Sequence, residues 1–312
     1  MHRKQLTHIF SLLLLFAACF LGGTLLARAT ASEAGESDNA GNETTGVSSE
    51  TAGTANEAAG AASKTTGAAS ETAVTANEAD ASASKSWGLS YQEEGKRPQG
   101  TDALEELAAH SAYYARDTEE KVLYLTFDCG YENGNTAKIL DTLKEKNVPA
   151  AFFLTGDFLR SAPDLAKRIA DEGHTAGNHT EHHPDMSAIT DPARFKEELD
   201  SVAAAYQEIT GQPLDPYFRP PQGKYSLQSL DLARQAGYST IFWSLAHVDW
   251  QQDAQPGREE TFDKLIGRVH PGAIILLHTT SASNTQYLGE LIDEWGKCGY
   301  VFRRLGEFCG KE

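Results

Sequence analysis

Between residues 121 and 304 short apolar runs alternate with stretches whose apolar residues return every three or four positions. The runs at 121–127 (KVLYLTF), 149–155 (PAAFFLT), 174–178 (HTAGN), 216–219 (PYFR), 239–244 (STIFWS), 273–278 (AIILLH) and 300–304 (YVFRR) predict strands. Helical spacing fills the gaps at 135–146, 163–172, 226–236, 259–269 and 285–297. It is clearest where Phe195, Leu199, Val202, Tyr206 and Ile209 share one face, opened by Asp191-Pro192 and closed by Gly211. Units of this kind predict an α/β fold with a mostly parallel sheet under covering helices, doubly wound or closed. Seven strands favour a distorted (β/α)7-type barrel. In either arrangement the C-terminal strand ends form one rim, where chemistry gathers.

Upstream the pattern changes three times. Residues 87–120 pair a Gly- and Pro-punctuated run with a short helical pattern at Leu104 and Leu107, an extension expected to pack on the domain at 121–312. Residues 32–86 are Ala, Thr, Ser, Gly and Glu with almost no large apolar side chain, and residues 44–64 recur imperfectly at 65–85. Such a stretch buries too little surface to offset its ordering entropy, so a disordered tether is expected rather than a solenoid. Residues 1–31 place His2, Arg3 and Lys4 before an apolar run from Ile9 to Ala27, then small residues at Ala29 and Ala31. They read as a signal peptide or an uncleaved membrane anchor, and the chain is expected to be exported to the extracytoplasmic envelope.

The net charge of −17 offers no cationic track for nucleic acid but leaves a carbohydrate partner open. The four cysteines, Cys19, Cys129, Cys298 and Cys309, fit neither a zinc knuckle nor a disulfide framework, and a Cys298–Cys309 pair stays open.

Five short stretches fall at or just past strand ends: TFDCG at 126–130, HTEHHP at 179–184, RPPQG at 219–223, VDW at 248–250 and LLH at 276–278. Singly, each has a plain reading: Asp128 as a turn cap, His179 and His183 as loop residues, Arg219 as any acid's partner, Trp250 as core. Their meeting on one rim favours a site. Two imidazoles four residues apart, with Pro184 ending any helix, suit a divalent ion such as zinc.

In order and spacing this set resembles the motifs of the polysaccharide deacetylases, carbohydrate esterase family 4, over residues 121–308. Within the family, SWGLSYQEEG, LTFDCGYENGNT and GNHTEHHPDM resemble the delta-lactam-biosynthetic de-N-acetylases, which act on N-acetylmuramic acid in peptidoglycan, chiefly in spore cortex. The resemblance implies Asp128 as general base, with Arg219 keeping it ionised, and His278 as general acid, with Asp249 raising its pKa. It implies His179 and His183 as metal ligands, Trp250 and Leu276 as walls of an acetyl slot, and a backbone N–H near Tyr131 or Gln222 for the oxyanion. The family's second acid, also a metal ligand, is here Cys129. A thiolate can bind zinc, so a Cys-His-His site is one possibility and a filler role for Cys129 the other. The implied activity is a monomeric, metal-assisted N-deacetylase of a peptidoglycan glycan strand. Deacetylation of N-acetylglucosamine or another polysaccharide, and a glycan-binding pseudoenzyme, are the alternatives.

Overall fold

The computed structural model describes residues 81–308. The expected signal segment, most of the tether, and Cys19 and Cys309 lie outside the described residues. Cys298 is a free, exposed thiol. The structured extension reaches slightly before the expected boundary at 87: Lys85–Ser86 form β1, and Lys85 Nζ is paired with Asp102 at 2.8 Å. The extension continues through β2 (Leu89–Ser90), β3 (Gln99–Gly100), α1 (Leu104–Ala109) and β4 (Ala112–Tyr113).

The domain proper alternates as the apolar pattern predicts: β5 (Val122–Cys129), α2 (Thr136–Lys146), β6 (Ala150–Leu154), α3 (Gly156–Ser161), α4 (Pro163–Asp171), β7 (Thr175–Asn178), α5 (Pro192–Thr210), β8 (Tyr217–Phe218), β9 (Lys224–Tyr225), α6 (Leu227–Gln235), β10 (Ser239–Ile241), β11 (Leu245–Ala246), α7 (Arg258–Gly267), β12 (Ala273–His278), α8 (Ala282–Lys297), β13 (Val301–Phe302) and α9 (Leu305–Phe308). Helix α5 begins and ends where its signals stand: the Asp191 side chain accepts from Ala193 N–H, Pro192 is the first helical residue, and Gly211 at φ 73° closes it.

One nine-stranded sheet runs β11-β12-β5-β6-β7-β8-β10-β4, with β13 beside the start of β5, and every pairing in it is parallel. The two strands not anticipated, β4 and β11, have two residues each, too few to show a period. The extension therefore supplies an edge strand as well as a covering. The sheet curls: Ala115, just past β4, bridges Ala273 at the start of β12, and Arg116 N–H donates to Gly272 O at 2.9 Å. Gly272 at φ 75° permits this approach, because a Cβ there would sit 2.2 Å from Arg116 O.

All eight residues of β5 are buried, because helices cover one face and the curl encloses the other. Leu123, Leu125 and Phe127 face the helical layer with Ile139, Leu140, Leu143, Leu288, Leu291 and Trp295. Val122 and Tyr124 face the interior with Phe153, Tyr217, Ile241 and Ile274. Each large apolar side chain so buried contributes about 1.5–3 kcal/mol. A third cluster joins the extension to the domain through Trp87, which stacks on Phe242 at 4.6 Å and donates from Nε1 to Trp243 O.

His270 is fully buried, with Nδ1–H donating to Pro271 O and Nε2 accepting from Ser244 Oγ, both at 2.9 Å. Burial chiefly holds its pKa down at about 4, from 6.5. The stability this neutral ring contributes is complete above pH 6.5 and is lost as pH falls toward 4, about 3 kcal/mol at full expression. Chemical denaturation of wild type is expected to show this loss, and His270→Gln a shallower acid slope. Identical slopes would contradict the assignment.

Candidate active site

Strand alternation decides which side chains meet at the rim. Residues of β5 with even numbers point into the curl, so Asp128 does, and its register partner on β12 is His278. Neighbours in register on parallel strands share a face about 4.8 Å apart, so the two side chains emerge together. Arg219 follows β8 and is fully buried. Its Nη1 donates to Asp128 Oδ1 at 2.8 Å and its Nε to Ile241 O at 2.9 Å, and the guanidinium lies 4.1 Å over the Phe153 ring. Burial raises the Asp128 pKa, but Arg219, His179 and His278 outweigh it and hold the carboxyl below its ordinary value.

Asp249, wholly buried in the loop after β11, accepts His278 Nδ1–H on Oδ1 at 2.7 Å and His278 backbone N–H on Oδ2 at 2.9 Å. Burial alone would lower the His278 pKa; the Asp249 charge and hydrogen bond overcome that and raise it. With Nδ1 engaged, Nε2 is the atom His278 presents. The structure thus brings together a carboxylate whose ionised form is favoured and an imidazole whose protonated form is favoured, an acid–base couple on adjacent strand ends.

His179 stands one residue past β7 and His183 in the loop beyond, their rings 4.9 Å apart and nearly edge-on. The loop is tightly bent: Thr180 at φ 71° and His183 at φ 56° are both left-handed, an uncommon state for a β-branched threonine. Thr180 N–H donates to Asn178 Oδ1 and its Oγ1 accepts His183 N–H. Burial is the main cause holding His179 down at about 4 and lowering His183, so both rings are neutral near pH 7, as ligation requires. His179 Nδ1–H donates to Arg219 O at 2.8 Å, leaving the Nε2 lone pair 3.5 Å from Asp128 Oδ2. Two buried lone-pair atoms facing one another, His179 Nε2 and Asp128 Oδ2, favour a cation between or beside them, and the neutral His183 ring lies 4.9 Å from that of His179 as a further donor for a divalent ion.

The third expected ligand does not join them. Cys129 is the next residue along β5 after Asp128 and faces the opposite way, into the apolar layer with Ile139, Leu140 and Leu154. Burial pushes its thiol well above the ordinary value, against thiolate formation. The Cys-His-His reading is corrected to a filler role for Cys129. Among the described residues no group of three or more His, Cys, Asp or Glu side chains is poised to hold an ion.

Of the expected substrate contacts, Leu276 is buried two residues before His278 on the same strand face, while Trp250 (54% exposed) and Tyr131 (49%) stand out from the rim. Gln222 is exposed, with φ 60°, in a short 3-10 turn. A groove of about 840 Å³ lined by Tyr91, Glu94, Glu259 and Arg268 includes none of these residues. Asn284 was not anticipated: from the first turn of α8 it donates to Asp249 Oδ2 at 2.6 Å. No spacing signals it, because its partner is 35 residues away.

The curled parallel sheet under its helices matches solved structures of family 4 carbohydrate esterases. The polysaccharide deacetylase family model matches residues 115–241. The chain belongs to the polysaccharide deacetylase family, which makes it a hydrolase that removes acetyl groups. Among its relatives is the peptidoglycan-N-acetylmuramic acid deacetylase PdaA of Bacillus subtilis, 42% identical over 222 residues, covering 71% of this chain and 84% of that protein. The solved structure of that PdaA, a family 4 carbohydrate esterase, matches with a TM-score of 0.70 at 40% identity, over 74% of this chain and 98% of that one. A family 4 carbohydrate esterase from Bacillus anthracis matches at 0.61 and 38% identity, over 74% of this chain and 98% of that one.

Proposed function

We propose that this protein hydrolyses the acetamido group of N-acetylmuramic acid in peptidoglycan, leaving a free amine able to close onto the neighbouring lactyl group. The observation that carries the chemistry is the placing of Asp128 and His278 side by side, each with its own buried partner. The choice of sugar rests on the likeness to the Bacillus subtilis muramic acid deacetylase.

Asp128, kept ionised by Arg219, takes the proton of a water attacking the acetyl carbon. His278 gives its Nε2 proton to the departing nitrogen, which cannot leave as an anion. Asp249 holds the ring in orientation before and after that transfer. His179 and His183 would hold a divalent ion, zinc in our reading, whose chemistry is to polarise the carbonyl as a Lewis acid. Leu276 and Trp250 would wall the acetyl methyl, and a backbone N–H near Tyr131 or Gln222 would face the oxyanion. We read the chain as exported, secreted or tethered by its N-terminal segment, and acting as a monomer.

The test compares acetate release from muramic acid strands freed of stem peptides with release from chitooligosaccharides. Release from the first alone is expected; release from the second alone moves the assignment to N-acetylglucosamine. Absence of release from both, with undiminished glycan binding, is the outcome for a binding module.

The two perturbed groups also set a pH window. The base works above the lowered Asp128 value, and the acid works below the raised His278 value. kcat/KM is expected to fall on the acid side with protonation of Asp128 and of the two imidazoles, and on the alkaline side above the raised His278 value, and His278→Gln to lose the alkaline limb. An alkaline limb that survives in His278→Gln would assign the acid elsewhere.

A further inference from the structure

Asn284 is 1% exposed and donates two hydrogen bonds from Nδ2, to Asp249 Oδ2 at 2.6 Å and to His278 O at 2.9 Å. Its own Oδ1 is buried without a protein partner. Turning the amide over would exchange the two ends and set Oδ1 against a carboxylate and a carbonyl, three acceptors with no proton between them. The orientation is therefore forced, and an orphaned buried carbonyl, costing about 1–3 kcal/mol, accompanies it. A side chain present only for packing carries no such cost, since leucine has nearly the same shape. The two donors on Asp249 Oδ2 are Asn284 Nδ2 and His278 N–H, and together they fix the carboxylate rotation that aims Oδ1 at His278 Nδ1.

A second amide restrains the same segment through its backbone. Gln255 Nε2 donates to Asp249 O at 2.8 Å, while its Oε1 accepts from Ser281 Oγ at 2.9 Å and Ser283 N–H at 3.1 Å. The Ser281 hydroxyl also caps α8 by accepting Asn284 N–H. The first turn of α8 is thus tied to the Asp249 backbone by Gln255 and to its carboxylate by Asn284.

We propose that Asn284 is a positioning residue for the Asp249–His278 acid couple: it locks the carboxylate so that Nδ1–H stays bonded and the Nε2 proton points at the departing nitrogen. The proposal rests on the deacetylase reading for its kinetic consequence, but its structural claim is separable. His278 is also faced by Asp128 from β5, Arg219 after β8, His183 after β7 and His247 beside Asp249. These remain in place when Asn284 is changed.

Asn284→Leu and the smaller Asn284→Ala are compared with wild type after thermal unfolding establishes that they fold. In a folded variant kcat is expected to fall about tenfold or more with KM within about twofold, since the acid acts in the transition state. In an Asp249→Asn background the same change is expected to cost less than about twofold, because its target is gone. By proton NMR, the downfield Nδ1–H resonance of His278 is expected in wild type and to be lost or exchange-broadened in the variants. That arm needs no turnover, so it stands even if the muramic assignment fails. The proposal is overturned by folded variants that keep kcat within about twofold, by an equal loss in the Asp249→Asn background, or by an unaltered resonance.

Discussion

Asp128→Asn is expected to lower kcat for acetate release by about 10²–10⁴-fold, the range for removing a general base, with little change in KM. The amide keeps the volume and an oxygen for Arg219, so the loss reports proton transfer rather than collapse of the rim. Its second effect falls on Arg219, which is fully buried and has its charge partner in Asp128, so the variant leaves a buried cation unbalanced. Breaking a buried pair from one side costs about 3–5 kcal/mol, and some loss toward that figure is expected in urea denaturation. Activity within about tenfold of wild type would remove Asp128 as the base.

Arg219→Met tests the pair from the other side and is expected to be the most destabilising single change at the site. It removes the cation facing Asp128 and the donor to Ile241 O, and leaves an ionised carboxylate in a buried setting, again about 3–5 kcal/mol. Burial is the largest influence on Asp128 and acts to raise its pKa. Without Arg219 the carboxyl is expected to ionise at higher pH, so the acid limb of kcat/KM moves upward. A stable variant with an unmoved acid limb would show that Arg219 neither supports the fold nor sets the charge of Asp128.

Much of this arrangement is legible in the amino-acid sequence. Buried strands between covering helices carry near-continuous apolar runs, so β5, β6 and β12 stood out, and α5 announced both ends through Asp191-Pro192 and Gly211. What escaped had no period to display. Two-residue strands such as β4 and β11 are fixed by neighbours, and α3, six residues opened by a Thr155 cap and Gly156, merges into the strand before it. At the rim, motif spacing supplied the residue types but not their facing. The period of two along a strand separates Asp128 from Cys129 onto opposite sides, and the thiol then belongs to the apolar layer however close it lies in sequence. Asn284 lay beyond reach for the opposite reason: its importance comes from a contact across the fold, and an asparagine in the first turn of a helix looks like local capping.

The corrected role of Cys129 leaves two imidazoles, the Asp128 carboxylate and the Asp249-bound His278 as the working set. Its central requirement is that Asp128 and His278 serve one reaction from adjacent positions. The most direct measurement is acetate release from denuded muramic acid strands by wild type, Asp128→Asn, His278→Gln and the double variant. Each single change is expected to cost about 10²–10⁴-fold, and the double variant little more than the worse single one, because both serve one turnover and losing either already stops it. Wild-type turnover undiminished by either substitution would contradict it.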